Sequence, residues 1–204
     1  AKAYPANDGS LESLLKYRDN FPDLIVTMGD ISSAKSAFAA RLSAKMGAKW
    51  LALPYPQSPE QVIENLRILA AAIGKTERVN HWQAQLTQAQ HRQPNILQPA
   101  LLLSEAGESI APDGLAAKWL KLAGYRQLTM ANGGKLPAES VLNLPQGTIL
   151  LRQQYRLGQK ARSQAWRGWR LADRYGTHPI KQIDGRPWLC GGLQMFQEIN
   201  RLKQ

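Results

Sequence analysis

The strongest constraint on the fold is a helix start at Ser58-Pro59-Glu60-Gln61, in a chain of 204 residues. The serine can cap the helix, the proline suits the first helical position, and the glutamine can close a capping box. Apolar residues then recur at helical spacing from Val62 to Ile73, until Gly74 interrupts the pattern. Thr76 can cap a second helix that reaches about Gln90. The pattern therefore predicts a long helical connector.

Strands and helices alternate on both sides of this connector. Before it, a short helix over Ser10 to Arg18, a buried strand at Leu24-Ile25-Val26, a helix capped by Ser32 or Ser33 and a strand at 50–53 predict a parallel pair. After it, strands are expected at 100–103, 127–130, 148–151 and 180–183, and helices at 114–122, 137–142, 163–175 and from 193. A loop from Ser104 to Pro112 separates the first of these strands from the helix that follows it.

This order predicts an α/β fold with two small parallel-sheet lobes joined by a long helical connector. Residues 1–57 form a partial N-terminal lobe, 58–93 the connector and 94–204 the C-terminal lobe. Two small lobes suit the length, because single cores usually stop growing at about 100 to 150 residues.

Composition and motifs exclude several classes of protein. With 44% apolar and 20% charged residues the chain resembles an ordinary globular protein, and its apolar runs are far shorter than the roughly 20 residues of a membrane span. A single cysteine, Cys190, excludes an internal disulfide, and its neighbours predict a buried thiol. The phosphate loops, zinc motifs and nucleophile elbows of common enzymes are absent.

The remaining candidates for chemistry do not gather into a site. His81, His91 and His178 lie apart in the sequence and are expected to be solvated. We therefore predict no catalytic residue, no metal site and no cofactor. Glycine-containing loops at Met28-Gly29-Asp30 and Ser104-Glu105-Ala106-Gly107 follow strands, where open α/β sheets bind ligands. The same residues also form good turns.

The charge favours an anionic partner. The formal net charge is +11, and arginines are interleaved with Tyr155, Trp166 and Trp169 between Arg152 and Arg174. This segment fits a solvated basic helix anchored by two tryptophans. A surface that binds single-stranded nucleic acid by phosphate pairing and base stacking would look similar in sequence, but no nucleic-acid motif accompanies the charge. The alternative function is therefore a basic nucleic-acid-binding α/β protein that uses residues 152–174.

Four segments, in the same order along the chain, resemble periplasmic binding proteins of ABC importers for iron–siderophore, haem or cobalamin. These segments are Gly9 to Leu15 running into Pro22-Asp23-Leu24-Ile25-Val26, Ser58 to Gly74, Leu136 to Leu142, and the turn at Trp188-Leu189-Cys190-Gly191-Gly192. Leu193 replaces the proline that usually ends the last motif, and Asn7-Asp8-Gly9 departs from the usual Asn-His-Gly.

The resemblance implies a substrate-binding component that is not an enzyme. Its ligand would be an iron complex, such as a siderophore or haem, or cobalamin, and its partner an ABC permease in the membrane. Glu12 and Glu139 match the glutamates that pair with permease arginines, one on each lobe. The implied location is periplasmic or exported, with association at the membrane.

The same resemblance implies which residues line the ligand cleft. Met28 and Gly29 would come from the first lobe, and Ser104, Glu105, Asp184, Arg186 and Trp188 from the second. Trp188 would stack on a flat ligand, and Arg186 would pair with an anionic group such as a propionate. A purely structural role for both residues, with Trp188 in the core and Arg186 solvated, stays open.

Family members normally begin with a strand and helix that precede anything seen in this sequence. An incomplete first lobe would expose a sheet edge, which is prone to pair with another chain. We therefore expect either a homodimer through the first lobe or weakened ligand affinity.

Overall fold

The computed structural model describes residues 22–29, 34–128, 134–154 and 166–203. These residues form two compact units. The first contains the described residues up to Tyr55 together with 71–73, and the second contains 56–70 and the described residues from Gly74 onward. The division into 1–57, 58–93 and 94–204 stays a prediction about domain organisation.

The first unit contains one strand–helix–strand motif. Strand β1 (Leu24–Met28), helix α1 (Ala34–Lys45) and strand β2 (Lys49–Leu53) follow one another, and the strands pair in parallel with Met28 opposite Leu53. The predicted parallel pair is confirmed. The prediction that β1 is buried is wrong, because Val26 is 43% exposed. The expected helix over Ser10 to Arg18 and the caps at Ser32 and Ser33 lie outside the described residues.

Helices α2 (Pro59–Ala72) and α3 (Glu77–His91) confirm the two predicted helical segments. The backbone N–H of Gln61 donates to Ser58 Oγ at 3.3 Å, as in a capping box. The returning bond is displaced by one residue, because Gln61 Oε1 accepts from the backbone N–H of Gln57. The predicted cap at Thr76 is wrong, since this residue has helical backbone angles and forms no capping bond with its side chain.

The second unit is built on a mixed sheet. Its strands are β3 (Gln98–Leu103), β4 (Glu108–Ser109), β5 (Tyr125–Gln127), β6 (Gly134–Lys135), β7 (Ile149–Gln154) and β8 (Ile180–Asp184). On one edge β3 pairs in parallel with β7, and β7 pairs in parallel with β8. On its other edge β3 pairs in parallel with β5 and, at Leu103, antiparallel with β4, which continues to β6. The predicted loop from Ser104 to Pro112 therefore contains a short strand.

Helices cover both faces of this sheet. They are α4 (Leu115–Leu122), a 3₁₀ helix (Ala138–Leu142), α5 (Arg167–Tyr175), α6 (Arg186–Cys190) and α7 (Met195–Leu202). Side chains of β3 alternate between the two faces. Ala100 and Leu102 enter one apolar cluster, while Leu101 and Leu103 enter the other with Trp166 and Trp169. A mainly parallel sheet buried on both faces is the expected α/β arrangement, and the predicted fold class is confirmed.

Helix α6 replaces a predicted turn. The sequence from Trp188 to Gly192 suggested a turn, but residues 186–190 form a short helix with Pro187 in its first turn. Gly191 ends the helix with φ of +57°, and a Cβ there would lie 2.5 Å from Leu115. No helix among the described residues is long and apolar enough to cross a bilayer.

Candidate functional site

Strands β3, β7 and β8 of the second unit end at one edge of the sheet with polar residues. Ser104 follows β3, β7 ends in Arg152-Gln153-Gln154, and β8 ends in Asp184, and all five are buried. The chain runs from β3 to β5 on one side and returns to β7 on the other. In open α/β sheets, ligands bind at such a switch point, outside the carboxyl ends of the strands. This edge is the candidate site.

Ser104 holds the loop after β3 in shape. Its Oγ accepts hydrogen bonds from the backbone N–H groups of Ala106 at 3.2 Å and Glu108 at 3.1 Å. Its carbonyl accepts from Gly107 N at 3.0 Å and from Trp169 Nε1 at 3.0 Å. Both oxygen atoms of Ser104 therefore accept hydrogen bonds from within the protein. Glu105 is the half-buried carboxylate that this loop presents.

Trp166 makes a glycine necessary in the same loop. Gly107 has φ of +80°, and a Cβ on it would lie 2.3 Å from the Trp166 ring. The indole N–H of Trp166 donates to the Leu136 carbonyl at 3.1 Å, and its backbone N–H donates to the Glu105 carbonyl at 3.1 Å. The tryptophan therefore fixes the loop from both its ring and its backbone.

Arg152 belongs to the site edge, although the sequence placed it in the basic segment. It is 7% exposed, and its Nη2 donates to both carboxylate oxygens of Asp173 at 3.0 Å. The guanidinium also lies 4.2 Å from the centre of the Trp169 ring. Ion pairing and the aromatic face together compensate the buried charge.

Three buried side-chain atoms on β7 and α6 form no hydrogen bond with any other residue that the structure describes. They are Arg152 Nε and Gln154 Oε1 on β7, and Trp188 Nε1 on the helix after β8. An unmade bond to a buried polar group costs about 1–3 kcal/mol. Native proteins contain few such groups, and each of them calls for an explanation, such as a bound water or a ligand. Sequence reasoning missed Gln153 and Gln154. The signal that could have indicated them is the change from apolar to polar residues at the end of strand β7.

Arg186 is held in a fixed position by Asp184. Its Nε donates to Asp184 Oδ1 at 2.9 Å, its Nη2 to Oδ2 at 2.6 Å, and its backbone N–H to Oδ1 at 3.0 Å. The bonds from Arg186 hold the pKa of the Asp184 carboxyl below its usual value, against the effect of burial. The arginine side chain is 67% exposed. The edge therefore presents an oriented cation.

The side chains of helix α6 differ in their exposure to solvent. Trp188 is 7% exposed and packs in the core, which is the structural role left open for it. Leu189 is 67% exposed, and Cys190 is exposed as well. The prediction of a buried thiol is wrong, because Cys190 ends a short helix at the surface.

Glu198 on α7 is a buried carboxylate that sequence reasoning missed. Its side chain is 3% exposed and lies 3.4 Å from Nη1 of Arg201. Burial raises the pKa of this carboxyl, the Asp184 charge adds to the rise, and Arg201 opposes it. Its position on an otherwise amphipathic final helix gave no sequence signal.

The predicted binding residues are divided between the two units. Met28 and Gly29 belong to the first unit, where Met28 is 52% exposed and Gly29 has φ of +136°. A Cβ on Gly29 would lie 3.1 Å from the ring of Tyr55, which is 64% exposed. The other five lie along the carboxyl edge of the second unit: Ser104, Glu105, Asp184, Arg186 and Trp188.

Of the two predicted docking residues, the structure describes Glu139 alone. Glu139 is exposed on the 3₁₀ helix, where it can meet another protein. Glu12 lies outside the described residues. Within the described ranges, no three His, Cys, Asp or Glu side chains form a cluster that could hold a metal ion.

The nucleic-acid alternative loses its two tryptophans as stacking residues, and Tyr155 lies outside the described residues. Trp166 is 7% exposed and Trp169 is 4% exposed, and both pack against the sheet. Neither ring can stack on a base in this structure. The exposed arginines of α5 remain.

No model of a protein family and no curated protein matches the sequence. The fold matches solved structures. The periplasmic haem-binding protein HutB of Vibrio cholerae aligns with a TM-score of 0.70 and 18% identity, over 95% of this chain and 79% of its own. A periplasmic haem-binding protein from Pseudomonas aeruginosa aligns with a TM-score of 0.65 and 20% identity, over 95% of this chain and 74% of its own. The periplasmic haem-binding protein RhuT from Roseiflexus aligns with a TM-score of 0.61 and 17% identity, over 89% of this chain and 74% of its own.

Proposed function

From the fold that this chain shares with periplasmic binding proteins, we propose that it is the substrate-binding component of an ABC importer. The observation that carries the proposal is the polar carboxyl edge of β3, β7 and β8, which lies where that kind of sheet binds ligands. The proposed location is the periplasm or another exported compartment.

The proposed ligand class is an iron complex that carries anionic groups, with haem first and ferric siderophores and cobalamin as the alternatives. Haem is favoured by the named ligand of the structurally similar proteins. Arg186 supports an anionic group, because its guanidinium is both oriented by Asp184 and exposed. A fixed guanidinium binds a carboxylate with little loss of side-chain freedom.

The proposed binding set keeps its seven predicted members: Met28, Gly29, Ser104, Glu105, Asp184, Arg186 and Trp188. Their roles differ. Arg186 contacts the anionic group, Asp184 positions Arg186, and Ser104 shapes the loop that presents Glu105. Trp188 supports α6 from the core, and Met28 offers an exposed apolar side chain. Glu139, together with Glu12, is proposed to dock on the permease.

Spectral titration tests this function. Haem, a ferric siderophore and cobalamin are added in turn to the full chain, and the absorption bands of each ligand are followed. We expect saturable binding of haem. Spectra unchanged by all three ligands would contradict the proposal.

Arg201 provides a matched control for Arg186. Both arginines are mostly exposed, and both pair with a buried carboxylate of the second unit. We expect Arg186→Gln to weaken haem binding by about tenfold, the loss of one charge-assisted contact, and Arg201→Gln to leave it unchanged. Equal losses in both variants would indicate that only the overall charge matters.

A further inference from the structure

Helix α5 presents a strip of three arginines to solvent. Arg167, Arg170 and Arg174 are exposed, and their spacing of three and four residues places them on one side of the helix. Trp169 and Ala172 are buried on the opposite side. We name the outer surface formed by Arg167, Arg170 and Arg174 the arginine face.

The arginine face has no compensating charge of its own. The sole carboxylate of α5 belongs to Asp173, and it is bound by the buried Arg152 through both oxygens. None of the ion pairs between described residues includes Arg167, Arg170 or Arg174. Three positive charges are therefore concentrated on a helix of nine residues.

This arrangement works against the stability of the helix. Like charges three and four residues apart repel each other. Arg167 occupies the first helical position, where the helix dipole disfavours a cation, and Trp166 before it provides no capping bond from its side chain. Residues that break local rules without a structural gain are expected at functional surfaces.

The flank of the arginine face is partly apolar. Tyr175 is 59% exposed, and the Arg174 guanidinium lies 5.3 Å from the centre of its ring. Leu171 is half-buried between the Arg167 and Tyr175 positions of the helix. A tyrosine with an apolar body and a polar tip suits the boundary between lipid headgroups and acyl chains.

We propose that the arginine face binds the surface of a bilayer that contains anionic phospholipid. Phosphates pair with the guanidinium groups, and Tyr175 lies among the headgroups. The net charge of +11 attracts the whole chain to such a surface. Nucleic acid also offers phosphates, but Trp166 and Trp169 are buried, which leaves Tyr175 as the exposed ring of α5 on which a base could stack. A convex helix surface suits a flat bilayer without a groove.

Contact with the bilayer would keep the protein beside the membrane that contains its permease. This consequence rests on the proposed function, whereas lipid binding itself does not. Haem titration tests one and vesicle binding tests the other, so that failure of either is recognised separately.

The test is co-sedimentation of the full chain with vesicles at low salt. One set is phosphatidylcholine alone, and the other contains about one quarter phosphatidylglycerol. We expect binding to the anionic vesicles only, with the partition constant falling as salt is added. Absence of binding to the anionic vesicles would overturn the proposal.

Charge-matched variants locate the contact. Arg167→Gln/Arg170→Gln/Arg174→Gln should lower the partition constant by on the order of 100-fold. The control Lys75→Gln/Arg78→Gln/Arg126→Gln removes the same charge at other exposed positions of the second unit and should lower it by less than about tenfold. Equal losses in the two triple variants would refute a localised face.

Two further measurements separate charge from folding and lipid from nucleic acid. The conservative variant Arg167→Lys/Arg170→Lys/Arg174→Lys should retain vesicle binding, and its loss would overturn the charge-based contact. Binding of single-stranded RNA that disappears in the glutamine triple variant, without binding of anionic vesicles, would assign the face to nucleic acid instead.

Discussion

The interiors of the two units differ more than their sequences suggest. In the second unit, Leu101, Leu102 and Leu103 of β3 are all 0% exposed, because helices cover both faces of the sheet. In the first unit, Ser43 and Leu53 are the buried residues among those whose burial is described. Both units use parallel strands with continuous apolar runs. The two sheets differ in whether helices cover each of their faces.

The difference teaches that an apolar strand shows what can be buried, not what is buried. Leu24-Ile25-Val26 and Leu101-Leu102-Leu103 predict buried strands equally well, yet Val26 is 43% exposed. Burial depends on elements that are distant in sequence. The stability of the described structure therefore resides mainly in the second unit, while the strands of the first unit leave Val26 and Met28 exposed.

The largest expected effect compares one strand leucine in each unit. Leu102→Ala removes a fully buried side chain from β3 and should lower the free energy of unfolding by about 3 kcal/mol. Leu51→Ala in β2 removes a half-buried side chain and should cost less than about 1.5 kcal/mol. Urea unfolding followed by circular dichroism measures both. Equal losses of unfolding free energy in the two variants would contradict the difference in burial between the two units.

Much of the fold could be predicted because its signals are local. The capping sequence at Ser58 and the apolar stripe after it predict α2, and the glycine at 47 predicts the end of α1. Helix α6 and strand β4 were missed, since each has five residues or fewer and depends on contacts across the sheet. Gly191, for example, must lie against Leu115 from another helix.

The site was predicted less completely, for a physical reason. Arg186 and Asp184 lie two residues apart, so their pairing follows from sequence and strand end alone. The ion pair of Arg152 with Asp173 joins residues 21 positions apart across two elements. Its tryptophan partner, Trp169, fits both interpretations of the basic segment, as a buried anchor and as an exposed stacking residue, because charge and aromatic content do not reveal which side of a helix faces the sheet.

A smaller effect compares two glycines with similar backbone angles. Gly107 in the second unit has φ of +80° and lies against Trp166, whereas Gly47 in the first unit has φ of +69° and open space around it. Gly107→Ala should cost about 2 kcal/mol or more, from the strained angle and displacement of the ring. Gly47→Ala should cost about 1 kcal/mol, from the angle alone.

Thermal unfolding measures both costs, and near-ultraviolet circular dichroism adds a second readout. Only Gly107→Ala should change the aromatic signal, because its added methyl group displaces an indole ring. Identical losses of stability together with unchanged aromatic spectra would indicate that the loop at Gly107 is as open as that at Gly47, which would remove much of the contrast between the two units.

The smallest expected effect is a pH dependence of opposite sign at two buried carboxylates of the second unit. The pKa of Asp184 is lowered by Arg186 from its ordinary value of 3.8, so its charge stabilises the fold above that pH and loses this effect as pH falls through the lowered pKa. The pKa of Glu198 is raised by burial from 4.5, so its charge destabilises the fold at neutral pH. This cost disappears as pH falls below 4.5.

Asp184→Asn should therefore lower the melting temperature at pH 7 by about 2 °C, and Glu198→Gln should raise it by a similar amount. Both differences from the parent protein should shrink toward pH 3. A Trp50→Phe background leaves five tryptophans, all in the second unit, so their fluorescence reports this unit directly. Shifts of the same sign in both variants would show that one environment governs both carboxylates, because oriented bonds from Arg186 and plain burial act on a carboxyl pKa in opposite directions.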